Sequence, residues 1–243
     1  MKVVVLDDIH NAFASTAAIQ RLAQRAEVVC YTEPLTPANR AEKLKGVDVI
    51  IPIRERSRLD DAFFSDAPDL KLVAQTGRAG PHLDRAAATA HGVLVAEGAS
   101  TRYSPSTAEL TFGLILAIMR QIPQSFEAMK RGEWYTPYGI TLGGKTIGLI
   151  GAGRIGSQMA AVANAFGMNV LVWSRSMNQE RADKLGATSV SLEDLMRQSD
   201  VVSVHLALNA GTTGLVNGDL MRLMKPTAYF INTARADCTD EAA

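Results

Sequence analysis

The segment "TIGLIGAGRIGSQMA" (146–160) constrains the fold of this chain more than any other. An apolar run passes directly into Gly151, Gly153 and Gly156 and then into a helical pattern. The first glycine permits a tight turn that a Cβ would obstruct. The second leaves the backbone open to close approach, and the third lets a helix pack tightly on a strand. A further apolar run, "MNVLVW" (168–173), follows the helix and completes a strand–helix–strand unit, which requires parallel strands. The N–H groups that open such a helix lie at the positive end of its dipole and suit a pyrophosphate. The pattern therefore implies dinucleotide binding by Gly151, Gly153, Arg154, Ile155 and Gly156. The alternative is a glycine turn that serves chain geometry alone.

The same alternation runs through the whole sequence. Lys2–Leu6, "EVVCYT" (27–32), "DVIIPI" (48–53), "LKLVAQT" (70–76) and "GVLVAE" (92–97) read as buried strands. Helices are predicted over roughly 12–25, from the capping residue Thr36 followed by Pro37, and over 81–91 with Gly92 as a left-handed cap. "SPSTAELTFGLILAIMRQ" (104–121) breaks the rhythm: Ser106 with Glu109 fits a capping box, Ser104 before Pro105 is a rival start, and the helix is apolar almost all round. Such a helix is expected to be buried between layers or domains. Its apolar stretch, 110–119, is too short to span a bilayer. A second series follows: "KTIGLI", "MNVLVW", "DVVSVHLAL" and "TAYFIN". The expected fold class is α/β with two domains, 1–101 and 102–243, flanking a cleft. The first is expected to be flavodoxin-like and the second a Rossmann domain.

Composition narrows the function. Twenty-five basic and 25 acidic residues cancel, so neither a nucleic-acid surface nor an anionic membrane is implied as partner. "MKVVVLDD" meets acidic residues too early for a signal peptide. Cys30 and Cys238 have no metal or redox spacing, so no metal is expected and a cytoplasmic location is.

At the end of the strand after the glycine turn, an acid usually holds the ribose hydroxyls of NAD. Here the sequence reads Trp173-Ser174-Arg175-Ser176, and Glu180 and Asp183 come only later, inside an expected helix. Two hydroxyls and a guanidinium suit a 2′-phosphate, so NADP is expected to be preferred over NAD. The alternative is a solvated Arg175.

These residues resemble the D-isomer-specific 2-hydroxyacid dehydrogenase family, which includes glyoxylate/hydroxypyruvate reductases and phosphoglycerate dehydrogenases. "TGRAGPHLDRAAATAHGVLV" is similar to its substrate-loop segment and "STAELTFGLILAIMR" to its interdomain helix. "LGGKTIGLIGAGRIG" is similar to its cofactor loop, and "SDVVSVHLALNAGTTGLVN" and "MKPTAYFINTARAD" to the strands beyond. The resemblance implies hydride transfer between NAD(P)H and a small 2-oxo/2-hydroxy acid, in a homodimer. It places the substrate carboxylate and the reacting carbonyl on Arg235, with Thr233 and Ala234 beside the cofactor. It also implies substrate contacts at Arg54, Arg78 and Ala79, the last standing where glycine is common. Thr107 falls near the nicotinamide or caps its helix, and His205 lines the cofactor pocket or is a hydrogen-bonded strand-end histidine.

The family's general acid, a histidine paired with a glutamate, lies downstream of this arginine, whereas His10, His82, His91 and His205 all precede Arg235. The resemblance therefore implies a fragment, or the ordered part of a longer chain, and a polypeptide ending at Ala243 is expected to lack dehydrogenase activity. Two other readings stand beside the enzyme: a dinucleotide-sensing corepressor and a shortened, non-catalytic cofactor-binding module.

Overall fold

The structure is a computed structural model that describes residues 1–98, 105–134 and 138–240. The chain divides into two compact units, Met1–Thr101 and Arg102–Ala243.

The first unit comprises β1 (Lys2–Leu6), α1 (Ala17–Ala23), β2 (Glu27–Cys30), α2 (Pro37–Lys43), β3 (Val49–Pro52), α3 (Asp61–Ser65), β4 (Leu72–Gln75), α4 (Arg85–Ala90) and β5 (Leu94–Glu97). Its strands are all parallel, in the order β2-β1-β3-β4-β5, which is the flavodoxin-like arrangement. A central strand covered on both faces needs apolar residues at successive positions, and β1 supplies Val3, Val4, Val5 and Leu6, all buried. Val4, Leu6, Ile50 and Val73 pack with Phe63 and Phe64 on one face, and Val5 with Ile19 and Ile53 on the other.

Two helix starts differ from the sequence reading. α1 begins at Ala17, because the buried Asp8 carboxylate accepts the N–H groups of Ala12 and Phe13 at 2.8 and 2.9 Å and folds that stretch into a turn; Thr16 is the cap. α4 begins at Arg85, capped by Asp84, because Leu83 pairs with Leu59 and keeps the preceding residues extended. Gly92 ends this helix with φ +70°, as expected.

The second unit comprises α5 (Pro105–Met119), α6 (Ile122–Lys130), β6 (Thr146–Ile150), α7 (Arg154–Ala165), β7 (Asn169–Trp173), α8 (Gln179–Asp183), β8 (Thr188–Ser189), α9 (Leu192–Gln198), β9 (Val201–Val204), α10 (Gly218–Met221) and β10 (Tyr229–Asn232). The parallel order is β10-β9-β6-β7-β8, the Rossmann order of a doubly wound sheet. The two-residue β8 was too short to show any pattern in the sequence. Because α5 starts at Pro105, Ser106 lies within its first turn and does not cap it; Ser104 falls outside the described residues. Nor is α5 buried all round. Ala108, Thr111, Phe112, Ile115 and Met119 face the sheet, whereas Leu110 is 58% exposed. No helix among the described residues is long and apolar enough to cross a membrane.

Each sheet has its own lock at the N-terminal ends of two adjacent strands. Asp48, before β3, accepts the N–H of Lys2 at the start of β1 and pairs with Lys71. Asp200, before β9, accepts the N–H of Thr146 at the start of β6 and pairs with Lys225.

Candidate functional site

The three glycines after β6 do three different things. Gly151 has φ +104°, and a Cβ there would lie 2.6 Å from the carbonyl oxygen of His205. A Cβ at Gly156 would lie 2.0 Å from the carbonyl oxygen of Gly151, so helix α7 can approach the turn only without one. At Gly153, the N-cap of α7, a Cβ would meet nothing within 4 Å. That open space, next to the first N–H groups of a helix, fits a pyrophosphate. Arg154 and Ile155 form the first turn of α7, with Ile155 packed against the core.

Beyond β7, Ser174 is half-buried, and Arg175 and Ser176 are exposed. The Arg175 guanidinium lies next to the loop after β9, 3.4 Å from where a Cβ of Gly211 would stand. Among the described residues no carboxylate pairs with it. The later acids are occupied on α8, Glu180 by Lys184 and Asp183 by the Gln179 amide. A second guanidinium, which sequence reasoning missed, completes this edge: Arg181 donates to the carbonyl of Ser176 at 2.5 Å and to its hydroxyl at 2.9 Å. The available signal was Asn178, whose side chain caps α8 through the N–H of Arg181 itself.

His205 follows β9. Its Nε2 lies 3.0 Å from the Ser203 hydroxyl, and its buried Nδ1 has no partner among the described residues. Burial lowers its pKa from 6.5 to about 4. The unfolded chain binds a proton at a pH where the folded histidine stays neutral, so stability is full above pH 6.5 and declines as pH falls toward 4. This group alone should cost on the order of 3 kcal/mol across that window. Urea unfolding at a series of pH values should show the decline, and His205→Gln should flatten it. An unchanged slope in the variant would mean that the imidazole is not held neutral.

The residues after β10 are held by Asn232. Its Oδ1 accepts the N–H of Ala234 at 2.9 Å, and its Nδ2 donates to the carbonyl of Arg235 at 2.9 Å and to the Thr239 hydroxyl at 3.2 Å. This side-chain-closed turn presents Arg235, half-buried, with Nη1 donating to the carbonyl of Ala234 at 2.9 Å. Thr233 meets Thr111 of α5, hydroxyl to hydroxyl at 2.8 Å, and Thr111 donates to the carbonyl of Thr107 at 2.7 Å. Since the Thr111 proton is committed to Thr107, Thr233 is the donor in this pair. Thr107 lies inside the first turn of α5 and so does not cap it. Thr111, fully buried, was not picked out from the sequence; its signal is a hydroxyl on the buried face of an otherwise apolar helix. Gly151, Gly153, Gly156, Arg175, His205, Thr233 and Arg235 thus collect at the C-terminal ends of the strands, where open α/β sheets bind ligands.

In the first unit, Arg54, Arg78 and Ala79 occupy the loops after β3 and β4. Arg54 has φ +59°, and its Nη1 lies 3.2 Å from where a Cβ of Gly77 would be. Arg78 is exposed, and Ala79 packs against the core. No carboxylate among the described residues pairs with Arg54 or Arg78.

Fold and turn together define a dinucleotide-binding α/β protein. The chain belongs to the D-isomer specific 2-hydroxyacid dehydrogenase family, whose NAD binding domain matches residues 112–243. It is 35% identical over 246 residues to a D-3-phosphoglycerate dehydrogenase of Methanocaldococcus jannaschii, covering 100% of this chain and 45% of that one. It is 38% identical over 195 residues to a glyoxylate reductase of Aeropyrum pernix, covering 76% and 58%. The chain therefore spans about half the length of these curated relatives. The crystal structure of a phosphoglycerate oxidoreductase from Vibrio cholerae superposes with a TM-score of 0.92 at 33% identity, covering 99% of this chain and 78% of that one. A nicotinamide dinucleotide is the cofactor of such a domain.

Proposed function

We propose that the protein catalyses reversible hydride transfer between NADP(H) and a small 2-oxo/2-hydroxy acid. The observation that carries this reading is the Asn232-closed turn, which holds Arg235 at the C-terminal edge of a sheet whose central strand ends in a dinucleotide-binding glycine turn. Gly151, Gly153, Arg154, Ile155 and Gly156 hold the pyrophosphate, and Ser174, Arg175 and Ser176 hold the adenosine ribose and its 2′-phosphate. Thr107, His205, Thr233 and Ala234 line the remainder. When bound, the dinucleotide supplies or takes up the hydride. Arg235 offers its planar fork to the substrate carboxylate and stabilises the negative charge that develops on the C2 oxygen. In the first unit, Arg54 and the backbone N–H groups of Arg78 and Ala79 bind the substrate. The two related enzymes named above act in this chemical class, which supports the assignment. The test is turnover of glyoxylate and hydroxypyruvate by the complete protein with NADPH; cofactor affinity without turnover would instead favour a binding or corepressor role.

The preference for NADPH rests on Arg175, which pairs with no carboxylate among the described residues, and on the absence of an acid at the end of β7. A carboxylate there would repel the 2′-phosphate by on the order of 4 kcal/mol per unit charge at ~4 Å and a dielectric of 20. Solvent and salt reduce this at an exposed edge, so a preference of about 10–100-fold in kcat/KM is expected. Arg175→Ala should remove most of it, and Ser174→Asp should turn it toward NADH. Equal values for both cofactors, unchanged in Arg175→Ala, would refute the 2′-phosphate assignment.

We further propose that the protein is a homodimer that works in the cytoplasm. Exposed apolar side chains of the second unit, Leu110, Leu114, Phe126, Met129 and Trp134, support the first point, and two free cysteines support a reducing compartment. Sedimentation equilibrium tests the assembly.

A further inference from the structure

Arg54 is the residue of the first unit whose backbone most needs explaining. It has φ +59°, in the left-handed region that a non-glycine residue keeps only under constraint, and both of its peptide groups are held. Its N–H donates to the Thr76 hydroxyl at 2.9 Å, and that hydroxyl donates to the carbonyl of Pro52 at 2.7 Å. Its carbonyl accepts from the side-chain amide of Gln75 at 2.8 Å. Gln75 is a polar residue only 3% exposed, at the end of β4, and its other amide atom, Oε1, lies 3.3 Å from Nε2 of His82. The Nδ1 of His82 accepts the N–H of Gly80 at 3.3 Å. These bonds fix one tautomer. Since Nδ1 is the acceptor, the proton sits on Nε2 and is donated to Gln75, whose amide nitrogen then points to Arg54. The direction is consistent from Gly80 through His82 and Gln75 to the strained peptide of Arg54. The Arg54 guanidinium in turn lies over Gly77, at the start of the loop that carries Arg78 and Ala79.

We propose that His82 and Gln75 are positioning residues that hold Arg54 in its left-handed conformation and so aim its guanidinium at the substrate. A polar pair placed for folding alone would not need to spend a buried amide and a defined histidine tautomer on one exposed arginine. The inference rests on the substrate-binding role given to Arg54 above.

The test is steady-state kinetics of the complete protein with glyoxylate and NADPH. Arg54→Met, Gln75→Met and His82→Leu should each raise KM for glyoxylate about tenfold, leave kcat within about twofold and leave KM for NADPH unchanged. His82→Gln, which keeps a donor within reach of Gln75, should restore most of the affinity, whereas His82→Asn, which keeps only the acceptor for Gly80, should not. In an Arg54→Met background, His82→Leu should add less than about twofold, because residues acting through one side chain are not additive. Should Gln75→Met fail to fold, the three His82 variants decide. A response to Arg54→Met with none to the His82 variants overturns the relay and leaves the substrate site standing. Additive losses in the double variant, or equal losses in all three His82 variants, also overturn it. A flat response to Arg54→Met overturns the site assignment and the relay with it.

Discussion

Arg235→Lys in the complete protein is expected to lower kcat/KM for the 2-oxo acid by about 10²-fold or more, in the range seen when one preorganised donor is lost from a developing oxyanion. Affinity for the reduced dinucleotide should stay within about twofold. Charge is conserved in this substitution, so a simple electrostatic anchor would tolerate it. What is lost is the rigid fork: one arm of the guanidinium is fixed on the carbonyl of Ala234 at 2.9 Å, which orients the remaining donors, and an ammonium on a flexible stem has no equivalent. KM should rise and kcat fall together. Comparable losses of cofactor affinity and of turnover would show that Arg235 supports the strand end and not the reacting group.

The second large effect is expected at the glycine turn, where neighbouring positions should fail in different ways. Gly156→Ala places a methyl group 2.0 Å from the Gly151 carbonyl oxygen, a backbone atom that cannot swing aside as a side-chain tip would. The substitution should cost about 1–3 kcal/mol through overpacking, lower Tm by several degrees, and reduce dinucleotide affinity on the order of 100-fold by displacing the turn. Gly153→Ala meets no atom within 4 Å, so Tm should hardly move; the methyl group instead fills the space a pyrophosphate would occupy, and affinity alone should fall. Thermal melts paired with fluorescence titration of NADPH separate the two cases. Unaltered NADPH affinity in Gly153→Ala would place the pyrophosphate elsewhere.

The contrast between these glycines shows how much of the fold is legible in the sequence. Their spacing already implied three roles, because each role is a local requirement on the backbone. The strand series was equally plain, since a strand buried on both faces must be apolar throughout. The start of α1 was hidden because the Asp8 carboxylate reaches forward to two N–H groups, and a helical composition does not reveal that capture. The one-sided burial of α5 was hidden for the opposite reason: when nearly every residue is apolar, no periodicity marks the inner face. Thr111, Gln75 and Arg181 escaped notice because each derives its importance from a partner supplied by another segment or by a turn. The left-handed backbone of Arg54 has no signature at all, as nothing in an arginine announces a positive φ.

The aspartate locks at Asp48 and Asp200 have a consequence for how this protein can change. Each fastens two adjacent central strands at the rim opposite the loops that carry Arg54, Arg175 and Arg235. Durability and selectivity are thereby assigned to separate ends of each sheet. Loops at the binding rim can be exchanged, lengthened or recharged while the far rim keeps the strands in register. A laboratory seeking a new substrate should therefore randomise one rim and leave the other untouched, and one seeking a hardier protein should do the reverse.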